Sequence, residues 1–197
     1  MRYSILAIVF VFMTTLAINA GATTISYTDT GDGSGTLNDV AFSDSAFTIT
    51  AIGDTSNRAS FGDGYYIDNS SASIDITGSG TYTFLTATRF FVNNSGQIVG
   101  FSRAGINGAD LYNGPTNSAF ATWDMLSSIG PISGSGGLMQ WSSGDVDTTG
   151  GILFFNNGSS DCIFTAVVGS AVPEPATMLL LGLGLMGLAG VRRKFKK

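Results

Sequence analysis

The residues whose types and spacing most clearly suggest chemistry are Pro173, Glu174 and Pro175. Two prolines hold this backbone extended, and Glu174 is the only glutamate in the sequence. Pro175 would stop any strand before it and suits the first turn of a helix after it. The motif therefore predicts a boundary between the body of the chain and the segment that follows.

An uncharged segment and a cluster of cations follow this motif. Residues 176–191 carry no charge over 16 positions. As a helix they would span about 24 Å, somewhat less than the roughly 30 Å hydrocarbon core of a bilayer. Residues 192–197 hold five cations in six positions, and Arg192, Arg193 and Lys194 would stop the segment on the cytoplasmic side. This order predicts a short transmembrane helix over 176–191, a basic tail over 192–197 and a temporary membrane position.

The first 22 residues have the order of a secretory signal peptide. Arg2 supplies a positive charge, residues 5–18 are mostly apolar, and residues 20–22 (Ala-Gly-Ala) suit a cleavage site. We expect the mature chain to begin at Thr23. The alternative is a membrane anchor that is never removed, which the short apolar run disfavours.

The Pro-Glu-Pro motif, the apolar segment and the Arg/Lys cluster together resemble the C-terminal sorting signal of PEP-CTERM proteins, over residues 172–197. The resemblance implies export by a Gram-negative bacterium that makes exopolysaccharide, through a precursor anchored in the inner membrane. It also implies a partner, the membrane transpeptidase exosortase, which would recognise Pro173, Glu174 and Pro175. The protein would then reach the cell surface or extracellular matrix. A membrane protein with a chance proline-rich linker is the alternative.

The body of the chain, residues 23–171, is strongly acidic. It contains thirteen aspartates and three arginines and has no lysine, histidine or glutamate, so its formal charge is −10. Such a body repels nucleic acid, because phosphate binding needs clustered Lys and Arg. We expect no nucleic-acid partner.

Catalytic chemistry has few candidate residues in this body. The usual acid–base and triad mechanisms lack histidine and glutamate, so we expect no enzyme, no catalytic residue and no cofactor. A pair of aspartates working as a glycosidase dyad is the remaining catalytic alternative.

Two aspartate–glycine segments and one cysteine could bind other groups. Residues 29–35 and 61–64 have oxygen ligands but not the EF-hand spacing, so ordinary turns are the better interpretation and no metal site is predicted. Cys162 cannot form an intrachain disulfide because it is the only cysteine. We expect it to be a buried, inert thiol, with pairing to a second molecule as the alternative.

Aromatic side chains provide the last candidate site. They could form a platform on which a sugar stacks, although Trp and Tyr in a small β-domain more often belong to the core. The candidate residues are Tyr65, Tyr66, Tyr112, Trp123 and Trp141.

The elements that must position these residues are predicted to be short strands joined by tight turns. Residues 47–51 and 73–77 alternate apolar and polar side chains, with Ile74 and Ile76 facing inward. Two hairpins are predicted, over 89–101 and 151–168, and one short helix with its cap among residues 115–118 and its end at Gly130-Pro131. We expect an all-β fold, a single antiparallel β-sandwich or jelly roll with one short helix, over residues 23–171.

The sequence therefore predicts an exported, non-enzymatic protein of the cell surface or extracellular matrix, associated with exopolysaccharide or a biofilm. A carbohydrate-binding module that recognises the matrix polysaccharide is the alternative function, and exopolysaccharide is then its partner.

Overall fold

A computed structural model describes residues 23–105, 109–158 and 161–169. The predicted signal peptide (1–22) and sorting segment (172–197), including its membrane helix and basic tail, lie outside these described residues. Within the described ranges, no helix has the length and apolar character needed to cross a bilayer. The described residues belong to one compact unit that is all-β and antiparallel, as predicted.

Thirteen strands are found in the described part of the chain. They are β1 Thr24–Leu37, β2 Val40–Asp54, β3 Ala59–Phe61, β4 Gly64–Ile76, β5 Gly80–Thr83, β6 Thr88–Asn93, β7 Ile98–Arg103, β8 Asp110–Thr116, β9 Ile129–Ser135, β10 Gly137–Leu138, β11 Asp147–Thr148, β12 Gly151–Gly158 and β13 Asp161–Val168.

The longest pairing joins β1 to β2. It extends from Thr24 opposite Asp54 to Leu37 opposite Val40. The two residues between these strands, Asn38 and Asp39, have φ angles of 48° and 65°. Asn and Asp tolerate this left-handed conformation, and such a turn matches the twist of the strands that it connects.

The strand β4 connects the two halves of the sheet. Its first part, residues 64–68, pairs with β6, and its second part, residues 69–76, pairs with β2. The sheet continues from β6 through β7 and β8 on one side, and from β2 through β1 to β12 and β13 on the other. The result is a nearly closed antiparallel sheet around one core.

Aromatic rings from both halves of the sheet form that core. Tyr27 of β1 stacks on Phe90 of β6 with ring centroids 4.7 Å apart, and Phe90 also contacts Phe164 of β13 at 5.9 Å. The predicted inward residues Ile74 and Ile76 are fully buried. Such contacts add to the free energy gained by removing each ring from water.

One predicted hairpin is confirmed and the other is wrong. β6 and β7 pair with each other across residues 94–97. By contrast, β12 and β13 both pair with β1, on the same edge and one after the other. The long partner strand β1 provides enough pairing for both, so it overrides the local Asn-Gly turn signal near residue 157.

The turn predicted at residues 29–35 is also wrong, because this segment is the middle of β1. Its glycines allow close packing rather than a change of chain direction. At Gly35 a Cβ atom would lie 2.0 Å from the carbonyl oxygen of Phe154 on the neighbouring β12, beside a register shift between Ser34 and Gly35. Glycine inside a strand often marks such a close backbone approach. The other predicted turn, at residues 61–64, is confirmed as the connection between β3 and β4.

The helix predicted between residues 115–118 and Gly130 is reduced to a 3-10 turn, Ser118–Ala121. Met125 has a φ of 64°, which an α-helix does not accommodate. The carboxylate of Asp124 accepts a hydrogen bond from the Leu126 backbone N–H at 3.0 Å, which replaces a helical bond. Ile129 then begins β9.

Candidate functional site

The residues predicted to form the sorting signal cannot be placed in the fold. Pro173, Glu174 and Pro175, and the membrane-stop residues Arg192, Arg193 and Lys194, lie outside the described residues. The candidate sites that the structure describes belong to the body of the chain.

A groove on the outer surface of the sheet is a candidate site. Its cavity volume is about 500 Å³, within the range of small-molecule sites. We call it the aromatic groove, and its main lining residues are Phe61, Tyr66, Arg89, Phe91, Asn93 and Asp110.

Strand alternation explains how β4 and β6 present these side chains. On β6, Phe90 and Val92 are fully buried in the core, so Arg89 and Phe91 project from the opposite face. Phe91 lies directly opposite Tyr66 of β4 in the register. Side chains from neighbouring strands thereby meet on the outer face.

Aromatic contacts build one wall of the groove. The Phe61 ring meets the Phe91 ring edge-on, with centroids 6.0 Å apart, and lies 6.3 Å from the Tyr66 ring. Phe61 remains 37% exposed. The wall therefore offers an exposed ring that its neighbours already hold in place.

Arg89 is held by two contacts at once. Its guanidinium carbon lies 4.2 Å from the centroid of the Tyr66 ring, and its Nε atom lies 2.9 Å from Oδ1 of Asp68. The first contact is a cation–π interaction. The second is an ion pair with a carboxylate that is 58% exposed to solvent.

Gly100 of β7 makes room beneath the aromatic wall. A Cβ atom at this position would lie 2.4 Å from Cζ of Phe91 and 2.5 Å from Oδ1 of Asn113. The absence of a side chain at Gly100 leaves the space that the Phe91 ring occupies.

Asp110 supplies the carboxylate of the groove. One of its oxygens, Oδ2, accepts a hydrogen bond of 2.8 Å from the Asn113 side-chain amide. Burial raises the pKa of Asp110, and the hydrogen bond from Asn113 partly opposes this shift. It is the only carboxylate among the described residues that line the groove.

A second group of polar side chains is buried between β1, β8 and β13. Asp29 is fully buried, and among the described residues no side chain donates a hydrogen bond to its carboxyl oxygens. Burial raises the pKa of Asp29 well above its ordinary value. Burial also raises the pKa of the nearby Tyr112 hydroxyl, and the negative charge of Asp29 raises it further.

Cys162 is buried as predicted, with 3% of its surface exposed. Its thiol donates a weak hydrogen bond to the Gly134 carbonyl at 3.4 Å. Burial raises its pKa to about 11, so the thiol stays protonated and unreactive near neutral pH. This environment disfavours pairing with a second molecule.

The five predicted platform residues do not form one platform. Trp123, Trp141 and Tyr112 are buried core residues, and each Trp indole N–H donates to a backbone carbonyl at 2.8 Å. Tyr65 is covered by the guanidinium of Arg58 at 4.5 Å. Only Tyr66 lines the aromatic groove.

Sequence reasoning missed Phe61, Phe91 and Arg89 as groove residues. A signal for two of them is present, since Arg89-Phe90-Phe91 alternates around a core position and must place Arg89 and Phe91 on the same outer face. Phe61 gives no such signal, because its place in the groove depends on β4 pairing with β3 on one edge and with β6 on the other.

Metal binding finds no support in the part of the chain that the structure describes. The described residues contain no group of three or more Asp or Cys side chains that could hold a metal ion. The aspartates of residues 29–35 alternate between the two faces of β1, with Asp29 buried and Asp32 exposed.

Comparison with known families concerns the tail of the chain. Residues 171–194 match the family described as the PEP-CTERM protein-sorting motif. No curated protein and no solved structure matches the chain. The chain carries a PEP-CTERM protein-sorting motif, which implies an exported protein whose membrane-anchored precursor is processed by an exosortase.

Proposed function

We propose that this protein is a non-enzymatic, structural or adhesive component of the cell surface or extracellular matrix, associated with exopolysaccharide or a biofilm. The observation that carries the proposal is the sorting motif at residues 171–194. Sorting of this kind delivers an intact folded body to the outside of a Gram-negative cell. The body of this chain is an acidic, all-β domain that could be delivered in this way.

In this proposal, each segment at the N-terminus and at the C-terminus has one role in export. Residues 1–22 direct export as a signal peptide and are removed. Residues 176–191 hold the precursor in the inner membrane, and Arg192, Arg193 and Lys194 keep the tail on the cytoplasmic side. Exosortase recognises Pro173, Glu174 and Pro175, and its cleavage releases the body.

The composition of the body supports a role without catalysis. Residues 23–171 contain no histidine and no glutamate, the residues that most often transfer protons in enzymes. A glycosidase needs two carboxyl groups facing each other across the substrate, whereas the described lining of the aromatic groove contributes Asp110 alone.

A carbohydrate-binding module is the second candidate function, and the aromatic groove is the observation that favours it. Its wall combines exposed aromatic surface with hydrogen-bonding groups from Arg89, Asn93 and Asp110. Carbohydrate ligands need both kinds of surface, because a sugar ring has apolar C–H faces and a polar rim of hydroxyl groups.

Replacing the sorting motif tests the first proposal. We expect the triple variant P173A/E174A/P175A to accumulate as an unprocessed precursor in the inner-membrane fraction, because exosortase no longer recognises it. Immunoblotting of membrane and surface fractions, with a tag placed after Thr23, measures the ratio of precursor to mature protein.

A matched triple variant controls for loss of folding or expression. S43A/S60A/S79A changes three exposed serines of the body, and we expect it to be processed at the native rate. Normal processing of the P173A/E174A/P175A variant would contradict the proposed recognition.

A further inference from the structure

We propose that the aromatic groove binds one uncharged sugar residue of a polysaccharide, with the sugar ring stacked on Phe61 and its hydroxyl groups bonded by the polar side chains of the groove. The inference deepens the second candidate function by naming its site and the class of its ligand. It does not depend on how the tail is processed.

The arrangement of apolar and polar groups supports a sugar over a purely apolar ligand. The exposed ring of Phe61 provides flat apolar surface on one wall, and the buried Phe91 ring packs against it. Arg89, Asn93 and Asp110 add donors and acceptors to the same cavity. An apolar peptide or a lipid chain would leave these polar groups without partners, which costs free energy.

The charges around the groove support an uncharged ligand over an anionic one. Arg89 is the only cation among the described lining residues, and Asp68 already pairs with it at 2.9 Å. The body as a whole carries a formal charge of −10. A uronate or sulfated sugar would meet this negative field without an available cation.

The groove is also organised before any ligand arrives. Phe61 contacts Phe91 and Tyr66, and Arg89 is fixed between Tyr66 and Asp68. Because few side chains must be ordered on binding, a modest contact area can give measurable affinity.

Titration of the full chain with defined oligosaccharides tests the inference. The chain is purified in a detergent without sugar groups, and isothermal titration calorimetry measures binding of the hexasaccharides of glucose, mannose and galactose and of hexagalacturonate. We expect at least one neutral hexasaccharide to bind and hexagalacturonate to bind at least tenfold more weakly.

Two variants assign the binding to this groove. We expect F61A to weaken binding of the neutral hexasaccharide at least tenfold, whereas Y82A, a half-buried tyrosine of β5 outside the groove, leaves it unchanged. We expect D68N, which changes an exposed carboxylate, to strengthen binding of hexagalacturonate because Arg89 is then unpaired. Circular dichroism checks that each variant is folded.

Several results would overturn the inference: no binding of any neutral hexasaccharide, equal binding by the wild type and F61A, or preferred binding of hexagalacturonate by the wild type. An absence of any effect of D68N on hexagalacturonate would contradict the charge argument. None of these results would alter the processing of the sorting motif, so failure here is distinguishable from failure of the proposed export route.

Discussion

At the scale of single residues, the least expected feature is the carboxyl group of Asp29 inside the core. β1 alternates, and Asp29 takes an inward position between Tyr27 and Gly31. Burial disfavours the ionised form of this carboxyl group, and a hydrogen bond from the Thr30 backbone opposes this only in part. The fold therefore favours the protonated form of this side chain, and ionisation of Asp29 lowers the stability of the fold.

Replacing this carboxyl group tests that statement. The pKa of Asp29 is raised in the fold, so its favourable contribution is complete below the unfolded pKa of about 4 and is lost as pH rises from there toward the folded pKa. We expect D29N to raise the melting temperature at pH 7.5 by a few degrees, at roughly 2–4 °C per kcal/mol, and by less at pH 4.

The matched control is D39N, which removes the same charge from an exposed turn. Thermal unfolding followed by circular dichroism at both pH values gives the comparison. A D29N protein whose melting temperature falls at pH 7.5 would show that the ionised carboxylate stabilises the native state.

At the scale of elements, hydrophobic periodicity predicted which residues of a strand face the core. It failed to predict where strands continue and which strands pair, because those features depend on residues far away in the sequence. Alternation placed Ile74 and Ile76 correctly in the core. It could not show that β1 continues through the glycines of residues 29–35, because the reason for those glycines lies on β12 and other strands. The separation of β12 from β13 and the position of Phe61 in the groove likewise depend on partners far away in the sequence.

The close packing of β1 against β12 gives an element-scale prediction. We expect G35A to destabilise the protein by about 1–3 kcal/mol, since a methyl group there forces the two strands apart. G137A is the control, because a Cβ atom at Gly137 would meet no atom within 4 Å. Urea unfolding measures the free energy of unfolding of both variants. Equal values would mean that β12 can move away from β1 without a loss of stability, which would contradict the prediction.

At the scale of the whole molecule, the chain consists of two parts with different physical character. The acidic body folds into a nearly closed sheet whose core comes from both halves. The tail carries a sorting motif that the family comparison finds at residues 171–194. The motif could be recognised from sequence because its chemistry is local, whereas the groove could not, because strands that are far apart in sequence assemble it.

The intact mass of the protein purified from the surface of its native cell tests the central claim most directly. The whole chain has a mass of 20.4 kDa. We expect the surface form to lack residues 1–22 and every residue after the exosortase cleavage site near Pro175, including the basic tail. A surface form that still ends in residues 192–197 would contradict the account.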